Sequence, residues 1–167
     1  MSKRKFIVLF AATIGIYQVY WFYENWRLYR DNSDEKIWPV ARAIFSIFFV
    51  HSLFRILDRK LQGSGHRMYW NARSNATILV VLIIVNSMLG NAINTLSSPY
   101  VDFLSVATLV PLAFVYCKAQ VVINVCCDDP EGTRNDTLTW QNYSWCALGL
   151  ASWALSLFGL YLKLHNA

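Results

Sequence analysis

Five apolar runs, each near the length of a membrane crossing, constrain this chain more than any other feature. They cover about residues 6–23, 38–57, 76–93, 100–123 and 143–162 of a 167-residue sequence. A helix needs roughly 20 residues to cross a hydrocarbon core about 30 Å thick. An unpaired backbone is prohibitive in lipid and no ladder of alternating strands is present, so runs of this kind fold as helices. The expected fold is all-α, a polytopic helical bundle of four to five transmembrane helices forming one membrane-embedded domain over 1–167. Composition points the same way. Apolar residues make up 56% and charged residues 15%, against about 45–50% and 25% in soluble domains.

The net charge of +5 does not read as a nucleic-acid footprint, because no stacking platform accompanies it. The basic residues instead cluster at the ends of apolar runs, as Lys3-Arg4-Lys5 and as Arg55, Arg59, Lys60, Arg67 and Arg73. Lys and Arg fix orientation in a bilayer in this way. If all five runs cross with the N-terminus in the cytoplasm, eight basic loop residues lie inside (Lys3, Arg4, Lys5, Arg59, Lys60, Arg67, Arg73, Arg134) and three outside (Arg27, Arg30, Lys36). If the second run lies flat instead, the N-terminus moves outside and residues 24–75 stay inside with nine basic residues. Both arrangements put the 58–75 and 124–142 loops in the cytoplasm.

The first run opens like a signal peptide, but Tyr17, Tyr20, Trp21, Phe22 and Tyr23 stand where a small-residue cleavage site belongs. It therefore reads as a retained anchor, with those rings, Trp26 and Tyr29 forming an interfacial aromatic belt. The second run is interrupted by Arg42, His51 and Arg55, so it either crosses with snorkelling arginines or lies in the interface plane. The third has an aliphatic heart, Ile78 to Val85, followed by Ser87, Gly90, Asn91 and Asn94 on one helix face. Ser98-Pro99 open the fourth run as N-cap and first helical residue. Asp102 sits in that first turn, and Pro111 in mid-span predicts a kink. The fifth carries a stripe of small residues, Cys146, Gly149, Ser152, Ser156 and Gly159, of the kind that lets helix backbones approach closely in membranes.

Residues 15–26, Gly-Ile-Tyr-Gln-Val-Tyr-Trp-Phe-Tyr-Glu-Asn-Trp, carry the pattern Gly-x-Tyr-x-x-Tyr-Trp-x-Tyr-x-Asn-Trp. With Arg42-Ala-Ile-Phe and Ser52-Leu-Phe-Arg55, this resembles a family of uncharacterised bacterial inner-membrane proteins. The resemblance extends over residues 6–57, and more faintly over 118–149 through Gln120, Ile123-Asn124, Pro130, Arg134-Asn135 and Trp140. It implies a multi-pass protein of the bacterial inner membrane. No activity, and so no residue role, comes with it.

Three sets of residues are candidates for function. The small-residue stripe of the fifth run is a packing face toward a neighbour, either in this chain or in a second copy. Ser87, Asn91 and Asn94 with Asp102 form a candidate polar path. Arg42, His51 and Arg55 are ionisable groups at membrane depth, where such groups are functional candidates by default. The four cysteines show no zinc or disulfide spacing, and the acidic loop around Asp128 lacks the alternating ligands and closing Glu of a calcium loop. No metal, cofactor or catalytic residue is assigned. The expected partners are membrane lipids and a membrane protein or a second copy, with no nucleic acid. The chain reads as a non-enzymatic interaction or structural component, with a small transporter, channel-like or small-molecule-binding protein as the alternative.

Overall fold

The computed structural model describes residues 1–66, 68–96 and 98–165, without the side chain of Asn94. Arg67, one of the basic residues counted above, and the Asn94 side chain, assigned to the polar path, lie outside the described residues. The described chain is all-α, with no strand among the described residues. Its helices are α1 (Lys3–Ala12), α2 (Tyr17–Asp31), α3 (Pro39–Ile44), α4 (Ser46–Gly63), α5 (Ala72–Leu96), α6 (Pro99–Cys126) and α7 (Trp140–His165), with a 3-10 turn at Thr133–Asn135.

Three of these helices, not four or five, are long and apolar enough to cross a membrane among the described residues: Ala72–Ile93 of α5, α6 and α7. The missing spans have a physical reason. The first apolar run is broken at Thr13–Ile16, where Ile14 (φ 51°) and Gly15 (φ 81°) turn the chain back. The ten residues of α1 extend only about 15 Å at 1.5 Å per residue, half a bilayer core. The second run breaks at Phe45 (φ −94°, ψ 35°) into α3 and α4.

The turn between α1 and α2 keeps its backbone satisfied from within. The amides of Thr13, Ile14 and Gly15 donate to the carbonyls of Leu9, Ala11 and Phe10. The Thr13 hydroxyl donates to Leu9 O and accepts from the Tyr17 amide, at 2.8 and 3.0 Å. Tyr17, Trp21, Phe22 and Trp26 then fall on one face of α2 and are buried. Tyr17 and Trp21 pack edge-on to Phe6, and Trp21 and Phe22 edge-on to Tyr116 of α6. These four rings are core, not the interfacial belt expected from their order in sequence. Four of them on one short helix bury more together than they would at a surface.

Helices α5 and α6 run antiparallel, with the Asn86 amide donating to Ser105 O and to the Thr108 hydroxyl. Helix α6 runs unbroken through Pro111. Helix α7 is antiparallel to α6. Its far end is tied by Lys163 to Asp102, while the loop before it is held by Lys5, whose ammonium donates to Asn135 Oδ1 and Thr137 O, both at 2.7 Å. The start of α5, the end of α6 and the start of α7 therefore share one end of the molecule. Helix α4 meets α5 there: the Phe54 and Trp70 rings lie tilted with centres 5.2 Å apart, and His51 reaches Thr77 in the second turn of α5. With α1 doubling back, the first residues also lie at this end, where the Asn124 amide donates to Met1 O. Among the described Lys and Arg residues, Lys163 alone sits at the opposite end. The other is the basic end, with Lys118 about two turns inside α6.

Candidate functional site

Helix α4 is amphipathic in a way that makes both a core face and a cleft wall. Val50, Leu53, Phe54, Leu57 and Leu61 recur at the three-and-four spacing of one helix face and are buried. His51, Arg55, Asp58 and Gln62 recur on the adjoining face and line an open cleft of about 790 Å³. The facing wall is the beginning of α5. Asn71 is the helix cap, its side-chain oxygen accepting from the Ser74 amide at 2.8 Å. Arg73 and Thr77, one turn apart, line the cleft above it.

The polar groups of this cleft are mostly donors. Within it, His51 Nε2 lies 3.3 Å from Thr77 Oγ1 and Gln62 Nε2 donates to Asp58 Oδ2 at 3.0 Å. Ion pairs elsewhere occupy Arg27 and Arg30 with Glu24 and Asp31. Among the described residues neither Arg55 nor Arg73 has an anionic partner. Trp70 also lines the cleft, and its indole N–H is buried without an acceptor among the described residues. Such a group represents an unmet hydrogen bond of about 1–3 kcal/mol. Two guanidiniums and an amide opposite one carboxylate can hold an anion, and Arg forks match phosphate and carboxylate geometry.

The candidates from sequence separate in space. His51 and Arg55 share the cleft, whereas Arg42 lies elsewhere, with its guanidinium 4.3 Å from the centre of the Trp26 ring and 5.2 Å from that of Phe49. Asp102 does not face a polar path. Its carboxylate holds the Lys163 ammonium at 2.8 Å, with both side chains 19% exposed, and that ammonium also approaches Ile93 O at 3.4 Å. Ser87 and Asn91 are exposed, and among the described residues the α5 side chain that hydrogen-bonds to α6 is Asn86. On α7, Gly149 packs so closely on the hairpin turn that a Cβ would stand 2.0 Å from Ala12 O, whereas a Cβ on Gly159 would meet nothing within 4 Å. Cys146 and Ser152 are half-buried and Ser156 is exposed. Trp153, outside the stripe, donates its indole N–H to Ala11 O at 3.0 Å.

Sequence reasoning missed Asp58, Gln62, Trp70, Asn71, Arg73 and Thr77. The available signal was the spacing of His51, Arg55, Asp58 and Gln62, a polar face read as isolated interruptions of an apolar run. It also missed a buried polar chain at the basic end. Trp21 Nε1 donates to Gln120 Oε1 at 2.7 Å, Gln120 Nε2 donates to Asn124 Oδ1 at 2.8 Å, and Asn124 Nδ2 donates to Met1 O at 3.0 Å. Loop 127–139 closes over this corner. Ser2 Oγ bonds Asp136, the Ser2 amide donates to Asn135 O at 3.2 Å, and Gly132 (φ 72°) lies so close to Met1 that a Cβ would approach within 2.5 Å. Loss of solvent lowers the pKa of the Met1 amino group, against the opposing pull of Asp129.

No family model matches this chain, and no curated protein or solved structure matches it.

Proposed function

We propose that this chain is a multi-pass protein of the bacterial inner membrane that acts by binding rather than by catalysis. Helices α5, α6 and α7 are the anchor, and α1–α2 is a re-entrant hairpin. Irregular backbone is tolerated at membrane depth where protein covers it and its groups are paired, and the Thr13–Ile16 turn meets both conditions. The concentration of Lys and Arg makes the basic end cytoplasmic. The working surface is then the platform of α2, α3 and α4 at the cytoplasmic face, and its recognition element is the cleft. The resemblance of residues 15–26 to uncharacterised bacterial inner-membrane proteins supports the same location.

The observation that carries this reading is the open, donor-rich cleft between α4 and α5, with His51, Arg55, Asp58, Gln62, Arg73 and Thr77 held on the two helices. Such a surface recognises a partner with little ordering cost. The test is mild-detergent purification of the tagged chain from its native membranes, with mass spectrometry of the proteins recovered. The expected outcome is a stoichiometric protein component that is lost from a His51→Ala/Gln62→Ala variant of unchanged yield. Recovery of the chain alone, as monomer or homo-oligomer, would overturn the interaction reading.

A further inference from the structure

The cleft has a vertical order that a soluble ligand would not need. At its base are Arg55, Arg73, the Trp70 indole and the Asn71 cap. Arg73, Thr77, Val81 and Val85 follow one another on a single face of α5 at four-residue steps, each about 6 Å further along the helix. Val81 and Val85 are exposed, as are Ile78 and Ile84 beside them. On the other wall Phe48, one turn before His51, is 76% exposed. The surface therefore passes from two cations without anionic partners to a bare aliphatic track within two turns. The transition falls in the first turns of α5, the helix whose Ala72–Ile93 stretch is apolar enough to cross a membrane.

We propose that the cleft binds one anionic phospholipid, with the phosphate between Arg55 and Arg73 and an acyl chain along Val81 and Val85. Guanidinium forks bind phosphate oxygens bidentately, and basic pockets at the cytoplasmic level of transmembrane helices suit anionic headgroups. Asp58 lines the same cleft and favours a headgroup that carries a hydroxyl or amine beside its phosphate. The lipid is preferred over a free phosphate compound because the track above the arginines is apolar and open. This inference rests on reading the cleft as a binding surface, but it is tested independently of any protein partner.

The experiment is native mass spectrometry of the full chain in mild detergent, titrated with phosphatidylglycerol or with phosphatidylcholine. One phosphatidylglycerol per chain is expected, bound about tenfold more tightly than phosphatidylcholine. R55Q/R73Q is expected to remove that preference, and R55K/R73K, which keeps the charges without the forks, to lose part of it. R27Q/R30Q, altered at basic-end positions outside the cleft, is expected to keep it. The lysine variant also guards against misfolding of the glutamine variant. An unchanged preference in both cleft variants, or an equal loss in R27Q/R30Q, would overturn the site. Inorganic phosphate binding with the same arginine dependence, without competition from phosphatidylglycerol, would overturn the lipid assignment in favour of a soluble anion.

Discussion

Gly149 and Gly159 are the same residue on the same helix, and their surroundings make them physically different. A methyl group at 149 would stand 2.0 Å from Ala12 O and 2.8 Å from Thr13 Cα, both backbone atoms, so α7 would have to lift off the hairpin turn. Gly149→Ala is expected to destabilise the folded chain by about 1–3 kcal/mol, as overpacking does. Gly159→Ala is expected to be neutral or stabilising by up to about 1 kcal/mol through helix propensity. Unfolding in a mixed-detergent titration separates them, and equal effects would mean that α7 does not rest on the turn. Gly149 stood out in sequence only as one member of a small-residue stripe, and its neighbour was not legible, because that depends on a turn whose location hydropathy hides. A second residue-scale expectation concerns Asp129. Loss of solvent opposes its ionisation, but the Arg134 and Thr133 amides and the Thr133 hydroxyl outweigh it, holding the carboxyl below its ordinary 3.8. A carboxyl depressed by folding stabilises the loop above its unfolded pKa, and that contribution is lost as pH falls through the lower folded value. Hydrogen exchange at the Thr133 and Arg134 amides should therefore stay protected down to about pH 4 and lose protection below it. In Asp129→Asn the protection should be weaker above about pH 4 and should not change as pH falls below it.

At the scale of elements, the α1–α2 break decides the architecture. It rests on few groups: a hydroxyl that bridges two helix ends, and a glycine in the left-handed region. Thr13→Val keeps the shape but leaves the Tyr17 amide without its acceptor and removes a donor from Leu9 O. The expected cost is about 1–3 kcal/mol, that of an unmet buried hydrogen bond. Gly15→Ala places a side chain at φ 81°, where a Cβ would also lie 3.3 Å from Leu109 Cδ2, and is expected to cost at least about 1 kcal/mol. Both are read as loss of thermal stability in detergent, and full stability of both would mean that the first run is one straight helix. The break was hard to see because Ile14 and Ile16 keep the run apolar on either side of Gly15, so a hydropathy window passes over it. In the same way, the second run read as one helix, either crossing or lying in the interface plane, and its break at Phe45 into α3 and α4 was hidden. The apolar face of α4 satisfied the count, and its polar face read as scattered interruptions. Helices α5, α6 and α7 were legible with nearly correct limits, because for them hydropathy and length are the whole specification.

For the molecule as a whole, one consequence of the hairpin separates three arrangements of the chain in a bilayer. With α1 and α2 doubling back and only α5, α6 and α7 crossing, Lys3, Asp34 and Glu131 lie on one side and Leu164 on the other. If all five apolar runs crossed, Asp34 would share the side of Leu164 and oppose Glu131. If the first run crossed and the second lay flat, Lys3 would share the side of Leu164 and oppose Asp34. The charge distribution favours the first arrangement by a wide margin, since it leaves Lys163 as the one described basic residue on the far side, whereas a five-span chain puts Arg27, Arg30 and Lys36 there as well. Single cysteines at positions 3, 34, 131 and 164, in a chain whose own four cysteines are replaced by alanine, can be labelled in sealed vesicles with a membrane-impermeant maleimide. The expected pattern is three positions labelled from one side and position 164 from the other. Labelling of position 34 together with 164 would restore the five-span chain, and labelling of position 3 together with 164 the four-span one. The five-span result would also change the setting of the cleft. In a five-span chain α4 becomes part of a crossing helix, so that His51 enters the hydrocarbon, Arg55 snorkels at its cytoplasmic end, and the cleft is an interface between two spans rather than an open surface beside the first turns of α5.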